Sequence, residues 1–146
     1  MYEQLKLENQ VCFRLYAASR LITQAYHSLL EPLGLTYPQY LVMMVLWEND
    51  NLTVNKIGAT LLLESNTLTP LLQRMEQDGL VVRNRGLVDA RQTMVSLTKK
   101  GRQLQHKAKD IPTCLMQCWQ GEPMEEKQLA NFIATLDGMI DTLKKQ

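Results

Sequence analysis

The stretch LTVNKIGATLLLESNTLTPLLQRMEQDGLVVRNRGLVDARQTMVSLTKK, residues 52–100, changes its hydrophobic period partway along, and that change decides the fold. Thr53 carries a hydroxyl suited to capping a short helix that runs to about Leu63. Glu64-Ser65 breaks that helix, and a second one follows and ends at Gly79. In the second helix Leu68, Leu71, Leu72 and Met75 recur at helical spacing and turn toward a core. Ser65, Asn66, Thr67, Thr69, Gln73, Arg74 and Gln77 are left outward. Pro70 removes one helical hydrogen bond and biases Thr69 away from helical geometry, so an irregular first turn is expected. After Gly79 the pattern becomes strand. Leu80-Val81-Val82-Arg83 leads through Asn84-Arg85-Gly86-Leu87-Val88-Asp89, and Thr93-Met94-Val95-Ser96-Leu97 returns. Two helices joined by a tight turn and followed by a projecting hairpin make a winged helix-turn-helix. The expected fold class is mainly α with a small β-hairpin wing.

The outward face of the second helix is polar, short-armed and nearly uncharged. Such a face suits hydrogen bonding to base edges in a major groove, with Ser and Thr reading several bases and Asn and Gln preferring adenine. The hairpin carries Arg83, Arg85 and Arg91. A guanidinium there suits a narrow A·T-rich minor groove while flanking cations hold phosphates, although any single one of them is as often an ordinary solvated charge. The net charge of +1 conceals a division: Gly79–Lys109 holds eight Lys or Arg against a single acid, and the rest of the chain is slightly acidic. A cationic hairpin on an acidic body is an electrostatic footprint for a polyanion. A membrane surface would use an amphipathic basic helix, and none accompanies this charge.

At 146 residues, 45% hydrophobic and 21% charged, the chain fits one globular domain with a real core. The N-terminus lacks the features of a signal peptide and no apolar run reaches membrane-span length, so a cytoplasmic protein is expected. Residues 3–31 read as one long helix with Leu7, Val11, Leu15, Ala18, Ile22 and Tyr26 on one stripe. Tyr37-Pro38 opens a shorter helix, another runs from Thr98 to about Lys109, Pro112 kinks or restarts it, and Gly121-Glu122-Pro123 turns into a last helix, Glu125 to Lys145. That helix carries Leu129, Phe132, Ile133, Leu136, Ile140 and Leu143 as a seam. The seam either closes a monomer or pairs with a second copy. A two-fold dimer sets two reading helices on successive major grooves of a near-palindromic site, about 34–36 Å apart.

Leu63-Glu64-Ser65-Asn66-Thr67-Leu68-Thr69-Pro70-Leu71-Leu72, Gly79-Leu80, Asp89-Ala90-Arg91 and Ser96-Leu97-Thr98-Lys99-Lys100-Gly101 together resemble the MarR family of bacterial transcription regulators. Asn9-Gln10-Val11-Cys12-Phe13 and Leu35-Thr36-Tyr37-Pro38-Gln39-Tyr40-Leu41 look like its organic hydroperoxide resistance branch. The resemblance implies a homodimer on double-stranded DNA, with no catalytic activity and no cofactor. It divides the single domain 1–146 into a helical dimerisation region, about 1–34 and 110–146, and a winged helix-turn-helix, about 35–109. DNA contacts are then expected from Ser65, Asn66, Thr67, Thr69, Gln73, Arg74, Arg83, Arg85, Asp89 and Arg91. Two departures stand out. Gly86-Leu87-Val88 replaces polar and acidic residues, giving a more flexible and more apolar wing tip, and Glu64 and Asn66 replace an Asp and a Gly.

Alone, Cys12 is more often a small buried hydrophobe than a reactive thiol. The resemblance implies the opposite: Cys12 is the sensor of organic hydroperoxide, with Tyr16 nearby and Tyr26 and Tyr37 reaching it across the dimer interface. Phenolic O–H groups donating to sulfur favour the thiolate, the form that attacks an O–O bond. The resemblance also implies a resolving cysteine late in the chain, Cys118 by spacing, with Cys114 one helical turn earlier as the alternative. Three cysteines are an odd number for a structural disulfide framework. Cys114, Cys118 and His106 are too few for a metal site, and none is expected. Two other functions compete. One is a regulator of the same fold that answers to a small aromatic or drug-like ligand, and the other is a thiol peroxidase, which would leave the basic hairpin without a use.

Overall fold

The computed structural model describes residues 1–118 and 124–145, except for the side chain of Cys118. The element order is α1 (Val11–Leu30), α2 (Tyr37–Glu48), β1 (Leu52–Thr53), α3 (Val54–Leu61), α4 (Ser65–Gln77), β2 (Val81–Arg85), β3 (Thr93–Leu97), α5 (Lys99–Ala108), α6 (Ile111–Cys118) and α7 (Glu126–Leu143), with short 3-10 turns at Glu3–Leu5, Leu7–Asn9 and Glu31–Leu33. It forms two compact units, Met1–Met116 and Gln117–Gln146. The expected turn at Gly121-Glu122-Pro123 lies outside the described residues.

The first unit is built on α2 and α4. Thr36 caps α2 in a reciprocal box, its hydroxyl accepting from the Gln39 N–H while the Gln39 carboxamide oxygen accepts from the Thr36 N–H. Tyr40, Val42, Met43 and Leu46 of α2 join Ile57 of α3, Leu68, Leu72 and Met75 of α4, and Val81, Val95 and Leu97 of the sheet in one core. Thr53 caps α3 by accepting from the Lys56 N–H. The helix closes at Leu61, two residues before expectation, because Leu62 turns left-handed at φ 58°. The sheet order is β1-β3-β2, all antiparallel, with Leu52 opposite Val95 and Val81 opposite Leu97. A hairpin alone was expected. The third strand is two residues long, too short to show a period, and pairs Leu52 and Thr53 onto β3.

Two expectations about helices need correction. Residues 3–10 do not extend α1: Lys6 and Gln10 are extended, with ψ 136° and 113°. Polar side chains take over the carbonyls a helix ladder would use. The Asn9 amide donates to the Glu3 carbonyl, the Gln10 amide to those of Gln4 and Lys6, and Arg14 to that of Glu8. Nor does Pro70 disturb α4, which is continuous from Ser65 to Gln77. Pro70 is exposed, so the carbonyl one turn back at Asn66, also exposed, faces water instead of being stranded in the core.

Of the stripe expected on α1, Leu15, Ile22 and Tyr26 are half-buried and Leu7, Val11 and Ala18 exposed. Leu30 is the buried residue of this helix, while Val11, Phe13, Tyr16 and Leu21 stand exposed. In the second unit α7 has no buried residue among those described, and Phe132, Ile133, Ile140 and Leu143 are exposed. Among the described residues no helix is long and apolar enough to cross a membrane.

Leu68 is fully buried and its neighbour Thr67 exposed. Leu68→Ala is therefore expected to cost about 2–5 kcal/mol in urea unfolding, and Thr67→Ala less than about 0.5 kcal/mol. Reversal of the two effects would mean that α4 is turned the other way.

Candidate nucleic-acid interface and thiol site

On α4 the buried positions Leu68, Leu72 and Met75 fix the rotation of the helix. Asn66, Thr69, Gln73 and Gln77, spaced three and four apart, then form one exposed strip, and Thr67 and Arg74, seven apart, form a second beside it. A groove of about 360 Å³ runs between the start of α4, α3 and the wing. It brings Ser65 and Thr69 together with Arg83, Asp89 and Arg91, whereas Asn66, Thr67, Gln73 and Arg74 lie on the open face of α4 and Arg85 does not line the groove. Thr53, Asn55, Gln92 and Thr93 also line the groove. These four were missed in the sequence. The usable signal was the start of α3, whose N-terminal N–H groups accompany the short polar side chains of Thr53 and Asn55.

The three hairpin arginines differ in what holds them. The Arg83 backbone N–H donates to Glu76 Oε2 at 2.8 Å, and its Nε and Nη2 donate to Oε1 at 3.2 and 3.1 Å. This pair ties the last turn of α4 to the root of the wing. The Arg83 N–H, then its guanidinium, hold the Glu76 carboxyl below the ordinary carboxylate value. Arg91 is 92% exposed and carried by Asp89, whose Oδ1 accepts from the Arg91 N–H at 3.0 Å and from Nε at 3.2 Å. The Arg91 N–H, then its side chain, draw the Asp89 carboxyl down in the same way. The spacing Asp-x-Arg thus lets one carboxylate hold both the turn and the direction of the guanidinium. Arg85 is exposed, and no ion pair engages it among the described residues.

Two backbone hydrogen bonds close the wing tip. The Gly86 N–H donates to the Gln92 carbonyl at 2.9 Å, and the Gln92 N–H to that of Asp89 at 3.1 Å. A Cβ on residue 86 would sit 2.6 Å from the Asp89 oxygen, so glycine is there for close approach.

Cys12 is exposed in the first turn of α1, and Tyr16 one turn on is exposed with the Arg20 guanidinium 5.5 Å from its ring centre. Tyr26 and Tyr37 stack at 4.6 Å between ring centres, and Tyr40 closes a three-ring cluster at 5.7 and 6.3 Å. Burial raises the hydroxyl pKa of all three, so they remain protonated donors at neutral pH. Cys12 is not among them. Fourteen residues of one helix separate it from Tyr26, about 21 Å at ~1.5 Å per residue. Cys114 of α6 is half-buried, and the Cys118 side chain lies outside the described residues. No cluster of three metal-ligating side chains occurs among the described residues.

A helix with one buried and one polar exposed face, a strand-paired wing and an arginine aimed by its own aspartate make a winged helix-turn-helix of the kind that presents a helix to a groove. A family profile described as transcriptional regulator SarA/Rot matches residues 24–108. The organic hydroperoxide resistance transcriptional regulator of Bacillus subtilis (strain 168) is 47% identical over 135 residues, 92% of each chain. AbfR of Staphylococcus epidermidis is similar in its reduced, DNA-bound form, with 40% identity, 98% and 96% coverage and a TM-score of 0.81, and in its disulfide form, with 41%, 94%, 95% and 0.66. The chain belongs to the MarR family of transcription regulators, in the organic hydroperoxide resistance branch.

The depressed Glu76 carboxyl has a consequence for pH. Its contribution to stability is present above the unfolded value of 4.5 and is lost as pH falls through the lower folded value. Melting temperatures recorded from pH 6 to pH 3 should therefore fall more steeply for the parent than for Glu76→Gln. Parallel curves would show that the Arg83 contact contributes nothing to folding.

Proposed function

We propose that this chain is a homodimeric, cytoplasmic transcription repressor that leaves a near-palindromic operator when an organic hydroperoxide oxidises Cys12. The observation that carries the reading is the separation of thiol from tyrosines on a single rigid helix. An exposed Cys12 and a stacked Tyr26-Tyr37 pair about 21 Å away make a site only when a second protomer brings its tyrosines to the first protomer's sulfur. The exposed apolar residues of α1 are the surface such a partner would cover. The family membership, and the similarity to a hydroperoxide regulator and to reduced and disulfide forms of AbfR, support the same reading.

In the proposed reaction the Cys12 thiolate attacks the terminal oxygen of the hydroperoxide. The S–O bond forms, the O–O bond breaks, and the alcohol leaves after taking a proton, giving a sulfenic acid. A second thiol, Cys118 or Cys114 of the partner, then displaces water to form a disulfide. Protonated Tyr26 and Tyr37, with Tyr16 on the sensor's own helix, donate hydrogen bonds to the thiolate without adding a cation. Disulfide formation pulls on the helices that space the two winged units, so that both α4 helices no longer meet successive major grooves. On DNA, Ser65, Asn66, Thr67, Thr69, Gln73 and Arg74 read or position, and Arg85 and Arg91 take the minor groove and its phosphates. Arg83 acts chiefly by holding the wing to α4, and Asp89 by aiming Arg91.

A second reading has one observation in its favour. A cavity of about 300 Å³ between α1 and the start of α2, lined by Thr23, Gln24, His27, Leu35, Thr36, Tyr37 and Pro38, is large enough for a small aromatic effector. Release of DNA by peroxide that a thiol reductant reverses favours the redox reading; release by a ligand, indifferent to reductant, favours the other.

Cys12→Ser is expected to bind DNA like the parent and to stay bound under organic hydroperoxide, because a serine hydroxyl is too weakly acidic to attack the O–O bond. Peroxide release of Cys12→Ser in a gel-shift assay would remove the sensor assignment. Arg91→Ala should weaken binding by about 1–3 kcal/mol and flatten the salt dependence, as read by titration at two ionic strengths. Unchanged affinity at both would take the wing out of DNA recognition.

A further inference from the structure

The apex of the wing is left without a role by the contacts described so far. Leu87 and Val88 are 104% and 102% exposed, two branched apolar side chains side by side with no part in the core. The strand register ends at Arg85 opposite Thr93, and Leu87 and Val88 lie two and three residues beyond it. The backbone of the apex is pinned by the Gly86–Gln92 and Gln92–Asp89 hydrogen bonds. On its flanks stand the exposed Arg85 and the Asp89-aimed Arg91. The flanking cations decide what partner suits this apolar pair: a polyanion whose groove is walled by hydrocarbon.

We propose that Leu87 and Val88 enter the DNA minor groove between phosphates held by Arg85 and Arg91, pack on its deoxyribose walls, and exclude G·C pairs there through the guanine 2-amino group. The inference rests on the reading of the chain as a DNA-binding regulator and adds a specificity determinant to it. A minor groove about 6 Å wide admits a hairpin apex and not a helix. On its floor A·T pairs show only acceptors, while a G·C pair adds an amino group that projects upward. An aliphatic side chain offers that donor no acceptor and removes its water, so a G·C pair loses a hydrogen bond and meets steric bulk, whereas an A·T floor takes the side chain. Selectivity by exclusion adds to the preference of the flanking guanidiniums for a narrow A·T groove.

The test uses the full-length reduced dimer and duplexes that it selects from a randomised library. The parent should select A·T blocks flanking each half-site, and G·C substitution there should weaken binding by about tenfold. Inosine·cytosine pairs, which lack the 2-amino group, should restore it. Leu87→Ser/Val88→Ser has unchanged charge and, with both residues outside the core, should melt with the parent. It should keep the inner half-site and its salt dependence while losing most of the parent's discrimination against G·C flanks, down to what the Arg85 and Arg91 guanidiniums draw from a narrow groove. Half-sites with random flanks in the parent, a variant that keeps the whole of the parent's discrimination, or inosine·cytosine behaving like G·C would each overturn the inference and leave the DNA-binding reading standing. A parent that selects no duplex at all removes that reading and the inference with it.

Discussion

A helix that holds its sulfur at one end and its tyrosine at the other cannot bring them together by itself, and this rigidity of α1 organises the account. Backbone hydrogen bonds fix the distance between Cys12 and Tyr26 to within the small bending of a helix. The same helix leaves Val11, Phe13, Tyr16 and Leu21 to solvent in the single chain. One constraint therefore bears on two features, the proposed thiol site, which a single chain leaves incomplete, and an uncovered apolar face. In the proposed dimer a second copy answers both.

The reading half of the molecule has its own constraint, the joint between α4 and the wing. Leu68, Leu72 and Met75 set how α4 is rotated, and Glu76 then grips Arg83 by backbone and guanidinium together. The pair is half-exposed, so its strength in water is modest. In the proposed complex its value is geometric: a wing swung relative to α4 would lose register with the neighbouring groove. Asp89 repeats the device at the tip, spending a carboxylate to aim Arg91.

Much of this was legible in residues 52–100. The three- and four-residue spacing of Leu68, Leu72 and Met75, the Thr53 cap and the strand period after Gly79 each depend on neighbours in sequence, and each was read as found. Failures came where competition or long range decided. Asn9 and Gln10 look acceptable in a helix until their amides capture carbonyls of residues 3, 4 and 6. Leu52-Thr53 is too short to carry a strand pattern, and its partner Val95 lies 43 residues away. The close approach of Gly86 to the Asp89 carbonyl depends on the fold of the whole loop and has no signature in the neighbouring residues. The stacking of Tyr26 on Tyr37 joins two helices and has no local signature: periodicity put Tyr26 on the α1 stripe, and only the resemblance linked it with Tyr37.

The central claim is that tyrosines of one protomer serve the thiol of the other, and mixed dimers test it most directly. In the first, one protomer carries Cys12 with Tyr26→Phe and Tyr37→Phe, and its mate carries Cys12→Ser with both tyrosines intact. In the second, Cys12 and intact tyrosines share a protomer, and the mate carries Cys12→Ser with both phenylalanines. The rate of Cys12 oxidation by an organic hydroperoxide should match the parent in the first dimer and fall by about tenfold in the second, as expected for loss of one or two hydrogen bonds to the reacting sulfur. A slow first dimer and a fast second one would contradict the account and return the site to a single chain.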